Sequence, residues 1–167
     1  MQACRHMTLA VRNTPPGPCP LLYLQARVKD RACWALLDSG EADNFVANQI
    51  VKDMHLNPLK LGMPLAVSVG IGEIMYTNQY VSEDLHLDKY RAWTYLKVLE
   101  TPIPMVLGYP FLLKHHPDFD RVLRFVRRGK EHFVQVLPGH LPADLLTRVF
   151  VEFKDPGDLD ASSSSST

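Results

Sequence analysis

Long apolar runs are missing from this 167-residue chain. No stretch approaches the roughly 20 apolar residues that a helix needs to cross a bilayer. Met1 to Arg12 lacks the continuous apolar core of a secretory leader. An excess of one charge is missing too. Lys and Arg number 18 and so do Asp and Glu, a net charge of +0. Such a chain has no long-range field to gather nucleic acid or an anionic membrane, so neither is an expected partner. The basic run Arg121, Arg124, Arg127, Arg128 and Lys130 reads as a solvated face. Cysteine is scarce, with Cys4, Cys19 and Cys33 alone. An odd count without metal-ligand spacing excludes a disulfide framework and a zinc site, and it suits a reducing, cytoplasmic or otherwise intracellular compartment. Cys33 lies in an apolar run and should be a buried thiol. Internal repeats are absent. Adjacent His115 and His116 cannot easily converge on one ion and read as a solvated helix end. Gly70-Ile71-Gly72 lacks the further glycine and the following helix of a phosphate loop.

What the chain does have is enough apolar residue, 46%, for one core, with 22% charged residues to keep it soluble. Residues 1–20 read as a flexible N-terminal segment that ends in the breaker-rich Thr14-Pro15-Pro16-Gly17-Pro18-Cys19-Pro20. Leu22, Leu24, Ala26 and Val28 alternate with polar neighbours, the period of a half-buried strand. A polar turn at Lys29-Asp30-Arg31 leads into a second apolar strand from Ala32 to Leu37. Phe45, Val46, Ile50, Val51 and Met54 then recur at helical spacing, and Asn57-Pro58 closes that helix. Strands return at Leu65–Val69, Met75–Val81, Leu85–Leu87 and Trp93–Val98. Phe133 to Leu137 is expected as a last core strand, whereas Leu145 to Phe153 fits a helix or a strand equally well. Residues 138–167 form a C-terminal extension with a disordered Ser-rich tail. Many short strands with frequent turns indicate a mostly-β barrel or sandwich.

The chemistry concentrates at Asp38-Ser39-Gly40, where an ionisable side chain ends the apolar strand Trp34-Ala35-Leu36-Leu37. Asp-Ser-Gly is also an ordinary turn, with Asp capping and Gly supplying conformational freedom. A carboxylate in apolar surroundings is pushed toward its neutral form. Two such groups face to face share one proton, so one serves as general base on water and the other as acid toward a carbonyl. Asp155-Pro156-Gly157 lacks the hydroxyl residue that a second such loop would carry.

Leu36-Leu37-Asp38-Ser39-Gly40 resembles the catalytic motif of retropepsins. Its continuation through Asn44-Phe45-Val46 to His55-Leu56 is similar to the proteases of gypsy-type long-terminal-repeat retrotransposons. Met105-Val106-Leu107-Gly108 resembles their second hallmark, an apolar run ending in Gly before a helix, and His115-His116-Pro117-Asp118-Phe119-Asp120 their usual turn into a final strand. Gly70, Ile71 and Gly72 sit where the family carries its flap. The resemblance implies a retropepsin-like closed β-barrel over residues 21–137, with one or two short helices and active as a symmetric homodimer. Asp38 would be the catalytic residue, Ser39, Gly40 and Glu41 its loop, Gly70 to Gly72 the substrate-binding flap, and Leu107 and Gly108 the second hallmark. The substrate would be a polypeptide, with no metal or other cofactor. Glu41 departs from the small residue usual after the loop glycine. It therefore supports an alternative: a degenerate, retroelement-derived module that only dimerises or binds peptides.

Overall fold

The computed structural model describes residues 22–69, 72–138 and 148–151. Strands β1 (Leu22–Val28) and β2 (Arg31–Leu37) form the expected hairpin, in register from Leu22 opposite Leu37 to Val28 opposite Arg31. The alternating apolar residues of β1 are buried, as is Cys33, whose thiol is pushed up to about 12 by that burial. Strands β3 (Phe45–Ala47), β5 (Glu73–Leu87), β6 (Tyr90–Leu99) and β7 (Met105–Leu107) complete a barrel in the order β1-β2-β7-β3-β6-β5. It closes where Arg27 of β1 pairs with His86 of β5. Strand β4 (Leu59–Val69) extends β5 outward as a long hairpin. The barrel is filled by side chains such as Leu24, Leu37, Leu85, Leu87, Leu96 and Met105, each removed from water. Each such burial stabilises the fold by about 1.5–3 kcal/mol before entropy is counted.

The sequence pattern placed a helix over Phe45 to Met54. The structure shortens it to α1 (Asn48–Asp53) and makes Phe45–Ala47 a strand. The reason is two-sided pairing: β3 runs parallel to β6 and antiparallel to β7, so consecutive apolar residues are all buried. A continuous apolar triplet serves a central strand as well as it serves a helix.

Helix α2 (Tyr109–His115) follows β7, with Pro110 in its first turn, where a missing N–H costs little. After it come β8 (Asp118–Asp120), β9 (Val122–Arg127) and β10 (Lys130–Val134), a separate three-stranded sheet. The expected last core strand at Phe133–Leu137 is corrected here. The strand ends at Val134, Phe133 is 54% exposed, and Leu137 belongs to the short β11 (Leu137–Pro138) on the edge of β1. Of the undecided 145–153 stretch, β12 (Phe150–Val151) is a strand pairing with β2, and residues 145–147 and 152–153 lie outside the described residues. So do residues 1–20, with Cys4 and Cys19, the Asp155-Pro156-Gly157 turn and the Ser-rich tail. Among the described residues, no helix is long and apolar enough to cross a membrane.

The histidine reading also changes. His116 is exposed, but His115 is buried, 8% exposed, against Tyr90, Phe111 and Phe125. Helix periodicity explains it: Phe111, Leu112 and His115 share the inward face of α2. The Arg127 Nη2 donates to the Tyr90 hydroxyl at 3.0 Å, and that hydroxyl lies 2.6 Å from His115 Nδ1. The exposed Arg127 guanidinium also lies over the Tyr90 ring at 4.5 Å. Arg124, partly exposed, pairs with Asp118 at 2.7 Å and Glu131 at 2.8 Å, while Arg121, Arg128 and Lys130 are exposed, so the basic run is the solvated face that the sequence suggested.

Burial lowers the His115 pKa to about 4, helped by the positive charges of Lys114, Arg127 and His116. Its ordinary value of 6.5 applies when the chain unfolds. Between these values the unfolded state binds more protons, so stability is complete above 6.5 and falls as pH drops toward 4. The thermal midpoint should decline through that window, and His115→Gln should flatten the decline. An unchanged slope in the variant would assign the acid sensitivity to other groups.

Candidate active site

Asp38 emerges at the end of β2, half-buried, where β2 runs parallel to β7 with Leu36 opposite Val106 and Leu37 opposite Leu107. Its own amide continues that ladder, donating to the Leu107 carbonyl at 3.0 Å. Its carboxylate Oδ1 accepts the Gly40 N–H at 2.9 Å, and its carbonyl accepts the Glu41 N–H at 3.2 Å. The tripeptide is thus a genuine turn as well as a candidate catalytic loop, and the turn fixes where the carboxylate stands. Ser39 is 3% exposed, and its Oγ has no hydrogen-bond partner among the described residues.

The second hallmark meets the first through backbone. Gly108 has a buried, extended backbone whose N–H donates to Asn44 Oδ1 at 2.8 Å. Next to it, the Tyr109 N–H donates to the Glu41 carbonyl at 2.8 Å. Leu107 is buried and Glu41 half-buried. Asp43 pairs with Lys97 at 2.7 Å, both largely shielded, and the Lys97 N–H donates to the Asn44 carbonyl at 3.0 Å. The loop 38–44 is therefore clamped by β7, by the start of α2 and by β6. Sequence reading singled out Asp38, Ser39, Gly40, Glu41, Leu107 and Gly108, and the structure brings them together. It missed the clamp made by Asn44, Asp43 and Lys97. The only signal was an Asn side chain placed between a loop and a strand, where it commonly bonds to backbone.

The β4–β5 hairpin leans over this region. Val67 is fully buried, and Val69 and Met75 pack against Tyr23, Leu36, Phe45, Leu99 and Val106, an apolar cluster separate from the barrel core. Gly72 stands at the hairpin tip with φ +74, a conformation that glycine adopts without strain. Gly70 and Ile71, the other two expected flap residues, lie outside the described residues. Among the described residues there is no group of three or more His, Cys, Asp or Glu side chains placed to hold a metal ion.

No curated protein sequence matches the chain. The fold is similar to the crystal structure of the retroviral protease-like domain of Ddi1 from Leishmania major. The TM-score is 0.53 at 16% identity, covering 72% of this chain and 97% of that one. The family described as the PEG10/RTL1 protease domain matches residues 34–134, more than half of the chain, from within β2 to the end of β10. That span takes in the Asp38 loop, the long hairpin and the Gly108 strand, and on this match the chain belongs to the PEG10/RTL1 protease domain family, a retropepsin-like protease domain.

Proposed function

We propose that the chain is an aspartic endopeptidase whose catalytic dyad is assembled from Asp38 of two copies in a symmetric homodimer. One observation carries the reading. Among the described residues, Asp38 is the one carboxylate at the retropepsin-like Asp-Ser-Gly position, and its loop is locked through backbone, with the Asp38 amide donating to the Leu107 carbonyl and the Asp38 Oδ1 accepting the Gly40 N–H. A two-carboxylate mechanism then needs a second chain, and a two-fold axis beside Asp38 is the economical arrangement. The orphaned hydroxyl of Ser39 supports the same axis. Leaving a buried donor unpaired costs about 1–3 kcal/mol, and the matching loop of a second subunit would supply partners.

In such a dimer one Asp38 carboxylate takes a proton from water while the other, protonated, donates toward the scissile carbonyl. The water oxygen bonds to the carbonyl carbon, the tetrahedral species collapses, and the amine leaves with a proton. No covalent intermediate or cofactor is required. The hairpin tip at Gly72 would close over an extended polypeptide held by strand-like backbone hydrogen bonds. The test is cleavage of a denatured protein at mildly acidic pH, blocked by an aspartic-protease inhibitor. Assembly is checked by sedimentation, where a dimer is expected, and full activity from a strictly monomeric species would sink the shared dyad.

Glu41 favours the second reading, a degenerate dimerisation or peptide-binding module. Its backbone is fixed beside the candidate dyad by the Tyr109 amide. At an effective dielectric of about 20, a unit charge several ångströms away is worth about 1 kcal/mol or more, about one pH unit. A negative neighbour holds the shared proton more tightly. Glu41→Ala should therefore raise peptidase activity and move the upper pH limit downward by about one unit. An unchanged rate and pH profile would show that Glu41 does not restrain the site.

A further inference from the structure

Strand β6 turns two different faces outward and inward. Tyr90, Ala92, Thr94 and Leu96 are buried, and Arg91, Trp93 and Tyr95 alternate with them on the outside. Trp93 is 59% and Tyr95 43% exposed, a large apolar area for a strand that already fills the core with its other face. From β5, Tyr80 stacks on Tyr95 with ring centroids 4.5 Å apart and planes 22° apart. Along the same outer face Arg91 commits Nε and Nη2 to Asp84, and its side chain is 65% exposed. The Arg127 Nη1 donates to the Arg91 carbonyl at 2.7 Å and thereby holds the β9–β10 turn beside Arg91. Arg128 lies in that turn and Lys130 opens β10 just after it, both exposed. Of the neighbouring acids, Asp84, opposite Trp93 in the β5–β6 ladder, pairs with Arg91 and Glu131 pairs with Arg124, while Asp88 accepts the Gln135 amide.

We propose that this stripe binds single-stranded nucleic acid, with unpaired bases stacked on Tyr80, Tyr95 and Trp93 and phosphates on Arg91, Arg128 and Lys130. Successive outward residues on a strand stand about 7 Å apart, so Arg91, Trp93 and Tyr95 follow one another along β6, with Tyr80 stacked beside Tyr95. Exposed rings offer faces to planar bases, and every base has such a face. An acidic peptide would use the cations and leave the rings unused. A duplex hides its bases from stacking, so a single strand fits better. The net charge of +0 describes the whole chain, not this face. The stripe lies on the outside of the barrel wall and needs neither the Asp38 dyad nor a second subunit.

Trp34, half-buried against Phe150, is the other tryptophan. In a Trp34→Phe background of the full chain, Trp93 therefore reports alone. A twelve-nucleotide oligouridylate at low salt should quench its fluorescence saturably. By anisotropy of the labelled oligomer, Trp93→Ala should bind about tenfold more weakly. Arg128→Glu with Lys130→Glu should weaken binding and make the logarithmic salt slope shallower by about 1.4, or 0.7 per lost phosphate contact. Absence of saturable quenching, or undiminished affinity in Trp93→Ala, would overturn the proposal. Equal binding of poly-glutamate would also overturn it, in favour of an acidic protein partner.

Discussion

Asp38→Asn is expected to reduce peptide hydrolysis by about ten-thousandfold, to background. In the proposed homodimer the change removes both members of the dyad at once, because each subunit would carry the same substitution. It should do so without disturbing the fold. Asparagine keeps an oxygen in place of Oδ1 to accept the Gly40 N–H, now 2.9 Å away, and the Asp38 amide bond to Leu107 involves backbone alone. Far-ultraviolet circular dichroism and the sedimentation profile should therefore match the parent. Mixing gives the sharper result. Excess Asp38→Asn chain added to parent chain should suppress the parent's activity as mixed dimers form, because one carboxylate cannot serve as both base and acid. Retained activity in the variant would remove Asp38 from the mechanism. Activity that merely dilutes on mixing would leave Asp38 essential but not shared.

The sequence revealed most where local periodicity and tertiary role agree. In β1 the alternation of Leu22, Leu24, Ala26 and Val28 is the same alternation that buries them, so the hairpin and the position of Asp38 at its end could be read directly. Gly108 stood out because an apolar run ending in Gly before a helix is a local pattern. Readings failed where the deciding contact is remote in sequence. Phe45–Ala47 is a strand because β6 and β7, some 50 residues away or more, flank it on both sides. His115 is buried because Tyr90 and Phe125 meet it from two other strands. Arg127 is exposed like most of its basic run, but the Tyr90 ring beneath it could not be read from the sequence. The candidate site shows the same division. Asp38, Ser39 and Gly40 are contiguous and were visible. The clamp of Asn44 on Gly108 spans 64 residues and was not.

That clamp makes Gly108→Ala the most damaging small substitution expected outside the candidate dyad. Backbone strain is not the cause, because Gly108 sits at φ −93 and ψ −161, extended backbone open to any residue. Space is the cause. A methyl group on Gly108 would meet the Asp43 carbonyl oxygen at 2.5 Å and the Glu41 carbonyl oxygen at 2.7 Å. Both are main-chain atoms, and neither can swing aside as a side-chain tip would. The Glu41 carbonyl is held by the Tyr109 amide, and Asp43 adjoins Asn44, which receives the Gly108 amide. Relief therefore means pushing the 38–44 loop away from β7, at the expense of these hydrogen bonds. A cost of about 3 kcal/mol follows from overpacking against fixed backbone, a fall in thermal midpoint on the order of 10 °C. Any Gly108→Ala protein that remains folded should still lose hydrolysis, since the same displacement would move Asp38 from its partner in the proposed dyad. Gly62→Ala is the control, as a methyl group there meets nothing within 4 Å. A Gly108→Ala protein with parent-like melting and parent-like activity would show that the two hallmarks touch without depending on each other.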